Sequence, residues 1–74
     1  MTAQEMFEKL GFKQESRLKW IVWYKDEYDC TIEITFYLES KTFFTELNGK
    51  LLEINMPLLK AVNQQCKELG WLDE

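Results

Sequence analysis

Apolar residues recur with a helical period at both ends of the chain and with a period of two in between. Thr2-Ala3-Gln4-Glu5 fits a capping box, in which the Thr hydroxyl accepts from the amide three residues on and the Glu carboxylate reaches back to the Thr amide. A helix is predicted from Ala3. Met6, Phe7 and Leu10 then share one face, Gly11 can take the left-handed conformation that closes a helix, and Phe12 is placed to pack on Phe7 in a Schellman ending. A helix of about nine residues does not persist alone in water, so its apolar stripe must dock on something.

Lys13 to Arg17 reads as a polar connector. Leu18 to Tyr24 is the first strand, apolar on both sides, and Lys25 to Asp29 turns the chain back. A four-residue loop there puts Ile21 and Trp23 on the core face, whereas a five-residue loop puts Trp20 and Val22 there, so either choice leaves one tryptophan outside. Cys30, Ile32, Ile34, Phe36 and Leu38 alternate with Thr31, Glu33, Thr35 and Tyr37, which is the signature of a half-buried strand. Thr42 to Leu47 and Lys50 to Ile54 flank Asn48-Gly49, the dipeptide best suited to a type I′ hairpin turn. With a second two-residue turn at Ser40-Lys41, Leu38 lies opposite Phe43, Phe36 opposite Thr45, and Ile34 opposite Leu47. The core face then carries Ile32, Ile34, Phe36, Leu38, Phe43, Leu47, Leu52 and Ile54. Its reverse carries Glu33, Thr35, Tyr37, Phe44, Glu46, Leu51 and Glu53, with Tyr37 opposite Phe44.

A second helix begins near Met56, with Asn55 as N-cap and Pro57 in the first turn, where its missing amide hydrogen costs nothing. Leu59, Val62, Cys66 and Leu69 form its stripe with Leu58 beside it, and Gly70 followed by Trp71 repeats the stop device of Gly11 and Phe12. The expectation is one α+β two-layer domain over residues 1–74: helix, four-stranded antiparallel meander, helix, with both helices on one face of the sheet.

Charge and composition narrow the function. Nine basic against thirteen acidic residues give a net charge of −4, the wrong sign for a general nucleic-acid binder. The longest apolar run, Trp20 to Tyr24, is too short for a membrane span or a signal-peptide core, so the chain reads as cytoplasmic. Cys30 and Cys66 lack CxxC spacing and read as reduced packing residues. With no histidine, the commonest general base is missing, and the glycines all have structural roles, so no enzyme, cofactor or metal site is expected. Glu33, Glu46 and Glu53 can align across adjacent strands, which keeps a cation or small-ligand site as the alternative; outward glutamates ordinarily just keep a face soluble. Asp26, Glu27 and Asp29 lack the pattern of a calcium loop and read as turn chemistry.

The outer sheet face remains. A tryptophan, Trp20 or Trp23, with Tyr37, Phe44 and Leu51 forms an aromatic patch rimmed by glutamates such as Glu46, which is the composition of a protein interface. The expected partner is another protein or a second copy of the chain.

Two stretches resemble a known group. Met1-Thr2-Ala3-Gln4-Glu5-Met6-Phe7-Glu8-Lys9-Leu10-Gly11-Phe12 at one end, with Ile54-Asn55-Met56-Pro57-Leu58-Leu59-Lys60-Ala61-Val62 and Glu68-Leu69-Gly70-Trp71 at the other, are similar to small phage and prophage accessory proteins of Gram-positive bacteria. The middle of the chain matches only as a strand-rich pattern. The resemblance implies a bacterial cytoplasm and an accessory role based on binding a host or phage protein, and it carries no catalytic residues. Pro57 stands where related sequences carry an acidic residue, a departure that touches only the start of the second helix.

Overall fold

Local sequence sets both helices. In the computed structural model, which describes residues 1–27, 30–47 and 54–72, the Thr2 hydroxyl accepts from the Glu5 amide at 3.1 Å and the Glu5 carboxylate accepts from the Thr2 amide at 2.8 Å. That reciprocal pair starts α1, Ala3–Lys9. Asn55 caps α2, Met56–Glu68, by accepting from the Leu58 amide at 2.9 Å, and Pro57 occupies the first turn. Both helices end on a left-handed glycine, Gly11 at φ 94° and Gly70 at φ 76°. At the second, the Gly70 amide donates to the Lys67 carbonyl and the Trp71 amide to the Cys66 carbonyl, the two bonds of a Schellman motif.

The chain divides into two compact units, Met1–Gly11 with Ile54–Glu74, and Phe12–Glu53. In the first, α1 and α2 pack together, and the Glu68 carboxylate accepts from the Ala3 amide at 2.8 Å, so the end of α2 satisfies an orphan donor at the start of α1. Ala3, Phe7, Leu58, Ala61, Val62, Gln65 and Cys66 are buried. The stripe of α2 thus runs through Leu58 and Ala61 where the sequence reading has Leu59, which is exposed. Burial pushes the Cys66 thiol above its usual range.

The second unit is a four-stranded antiparallel meander in the order β1-β2-β3-β4: Lys13–Ser16, Trp20–Glu27, Cys30–Tyr37 and Thr42–Leu47. The element order and sheet type are those expected, but the first strand is a new one and the second has shifted bounds. Lys13-Gln14-Glu15-Ser16, read as a connector, is an edge strand pairing with β2 from Lys13 opposite Tyr24 to Ser16 opposite Ile21. All four of its residues are exposed, so it pairs through its backbone alone and leaves no hydrophobic pattern to read. β2 starts two residues later than predicted, because Arg17 to Lys19 form the turn, with the Arg17 amide donating to the Trp20 carbonyl at 2.8 Å. It also continues through Lys25-Asp26-Glu27, which pair with Ile32, Thr31 and Cys30. The Asn48-Gly49 turn and the predicted strand through Lys50, Leu51, Leu52 and Glu53 lie outside the described residues, while Ile54, placed at its end and in the core, is exposed and in no strand.

β3 and β4 pair two residues away from the predicted register: Phe36 lies opposite Phe43, Ile34 opposite Thr45 and Ile32 opposite Leu47. The cause is the connection. It is a four-residue loop, Leu38 to Lys41, closed by the Lys41 amide donating to the Tyr37 carbonyl, with Lys41 itself at φ 58°. A shift of two preserves which side chains share a face, so the face assignment survives. Ile34 and Phe36 are fully buried, while Phe43, placed in the core from the sequence, is exposed at the edge, where its ring packs 5.5 Å from Phe36.

Candidate functional site

The pairing of β2 with β3 decides which tryptophan faces out. Trp23 lies opposite Ile34, Ile21 opposite Phe36 and Trp20 opposite Tyr37. Trp23 therefore shares the face of Ile34 and Phe36 and is fully buried. Its place in the expected partner surface is corrected: it is a core residue. The inward pair is the one the four-residue-loop alternative gave, but the predicted loop length is not kept, because pairing runs on to Glu27 opposite Cys30.

Trp20, Tyr37 and Phe44 share the opposite face and form a row across β2, β3 and β4. Trp20 and Tyr37 stand directly opposite, with ring centroids 6.3 Å apart. Tyr37 and Phe44 are diagonal neighbours rather than the opposed pair predicted, yet their rings still meet edge to face at 5.3 Å, because aromatic side chains span a diagonal. The three are 37%, 37% and 56% exposed.

Charges lie beside this row. Lys19 pairs with Glu39 at 3.6 Å, and Lys19, Trp20, Tyr37, Glu39 and Ser40 line a shallow depression of about 220 Å³. Farther along the same face, Glu46 is exposed and lies opposite the half-buried Glu33. Two carboxylates directly opposed across a ladder repel one another. The third glutamate of the predicted row, Glu53, and the apolar Leu51 lie outside the described residues, among which no group of three or more acidic or cysteine side chains is placed to hold a metal ion. Near the end of β2, the Thr31 hydroxyl donates to Asp26 at 2.8 Å. Asp26 is thereby a cross-strand partner rather than turn chemistry.

A second feature lies within the helix pair, and the strand-based reading passed over it. Met1, Met6, Lys9 and Leu10 from the α1 segment and Met56, Pro57 and Lys60 from the first turns of α2 line an open groove of about 290 Å³. Every methionine of the chain is in that lining. The spacing of Met6, Lys9 and Leu10 on one helix was legible; that Met56 and Lys60 stand across from them was not, because some fifty residues separate the two segments.

Both cysteines are free thiols, Cys30 half-buried and Cys66 buried. Among the described residues no helix is long and apolar enough to cross a membrane. The chain matches no family model, no curated protein and no solved structure.

Proposed function

We propose that the protein is a non-enzymatic binding module that docks the Trp20-Tyr37-Phe44 row on another protein. The observation that carries this is the row itself: three aromatic rings on one sheet face, the Tyr37 ring next to both Trp20 and Phe44, each left at least a third exposed. Isolated exposed aromatics need no explanation, but a contiguous patch of them with charges beside it has the make-up of an interface centre and rim. The edge-to-face contact of Tyr37 with Phe44 also holds those two rings in place before binding, which lowers the entropy lost when a partner covers them. The proposal includes a bacterial cytoplasm and an accessory role there, as the resemblance of the two chain ends to small phage proteins implies.

Phe44→Glu tests the reading, since it puts a charge at the most exposed ring of the row. Solution mass by light scattering over a micromolar series is compared for the parent and the variant, with circular dichroism to check folding. A parent dimer that the variant abolishes identifies a second copy as the partner. For a monomeric parent, the same pair is used in affinity capture, and a protein retained by the parent and lost by the folded variant carries the reading. Equal association or equal capture by both overturns it.

A further inference from the structure

We infer that the groove between α1 and the first turns of α2 is a binding site for an aliphatic carboxylate, an apolar chain ending in one negative charge. The inference does not rest on the aromatic sheet face and uses none of its residues.

The lining argues for an apolar chain. Five of the seven groove residues, Met1, Met6, Leu10, Met56 and Pro57, are apolar, and no lining residue is acidic. Met1 and Met56 are 65% and 60% exposed, so flexible thioethers face solvent where a ligand would cover them. Unbranched, polarisable methionine adapts to chains of differing shape. A volume of about 290 Å³ stands at the small end of ligand sites, whose usual range is about 300–1,000 Å³. That suits one alkyl chain and is too little for a docked helix or a protein surface.

The rim argues for a negative end. The remaining lining residues, Lys9 and Lys60, contribute two positive charges in a chain whose net charge is −4. Among the described residues neither is in a salt bridge, although the Lys9 charge also acts on the Glu5 carboxylate one turn back along α1. A carboxylate between them gains both charges while its chain lies on the methionines. A cationic amphiphile of the same length gains the apolar contact and meets repulsion instead.

The test follows the methyl groups of Met6 and Met56 by NMR in protein labelled at methionine methyls, titrated with decanoate, decanol and decyltrimethylammonium below their micelle thresholds. Expected are saturable shifts of both methyls with decanoate, and affinity for the cation about tenfold or more weaker. In the double variant K9Q/K60Q, decanoate should lose about tenfold in affinity while decanol keeps its own, within the roughly two- to thirtyfold that two exposed charge pairs account for. Both lysines are exposed, and circular dichroism of the variant confirms the fold. Absence of saturable methyl shifts, equal affinity for decanoate and the cation, or an unchanged decanoate affinity in the double variant each overturn the assignment.

Discussion

The same substitution, Phe to Ala, should have opposite consequences at two positions on adjacent strands. Phe36 on β3 is fully buried, packs on Phe43 at 5.5 Å and shares its face with the buried Trp23 and Ile34. Removing a ring from such a site leaves a cavity and costs about 3–5 kcal/mol. Phe44 on β4 points to the other face and keeps 56% of its surface in water. Burial of the remainder accounts for about 1 kcal/mol, and loss of the edge contact with Tyr37 adds about 0.5–1.5 kcal/mol. At about 0.05–0.15 kcal/mol per residue, 74 residues have roughly 4–11 kcal/mol of stability to lose. Phe36→Ala should therefore bring the protein close to unfolding, and Phe44→Ala should leave it folded but unable to associate through the aromatic row. Urea unfolding followed by tryptophan fluorescence and circular dichroism measures both, with matched slopes required before midpoints are compared. If Phe36→Ala has no folded baseline, Phe36→Leu, at about 1.5 kcal/mol or less, is set against Phe44→Leu. Equal losses at the two positions, or a larger loss at Phe44, refute the assignment of faces.

Thr2→Ala removes the hydroxyl that accepts from the Glu5 amide and should destabilise by about 1 kcal/mol, read from the thermal midpoint. Hydrogen bonds from the Thr2 amide first, and its hydroxyl second, hold the Glu5 carboxyl below its ordinary range. A carboxyl with a lowered pKa in the folded state adds stability that is present above its unfolded pKa near 4.3 and is lost as pH falls through the lowered value. Glu5→Gln should accordingly flatten the acid limb of the stability curve below about pH 4.3, and an unchanged limb would refute the bond. Lys41→Gly should stabilise by about 0.5 kcal/mol, because glycine relieves a residue held at φ 58° at some entropic cost; a lower thermal midpoint would refute this.

Much of the structure was legible in the sequence wherever the deciding contacts lie within four residues. Thr2 with Glu5, Asn55 with Leu58, and Gly70 with the Lys67 carbonyl satisfy helix ends from their own turn, so residue type and spacing suffice to place them. The alternation from Cys30 to Tyr37 likewise separates two faces, and it does so even though the hairpin register differs by two, because a shift of two returns every side chain to its own side. That Tyr37 and Phe44 share the outer face follows from these local rules, and Trp20 joins them only once the pairing of β2 with β3 is given.

Tertiary structure decided what depends on partners far along the chain. β1 contains no apolar residue, so only the backbone of β2 could recruit Lys13–Ser16 into a sheet. The inward turn of Trp23 and the outward turn of Trp20 hinge on pairing across β3, which the composition of a doubly apolar strand does not reveal. The same limit applies to α2, where tertiary packing buries Leu58 and leaves the adjacent Leu59 exposed, and to the groove, which Lys9 and Lys60 line together only once the helices pair. Periodicity states that a face exists, and long-range pairing chooses which residues occupy it.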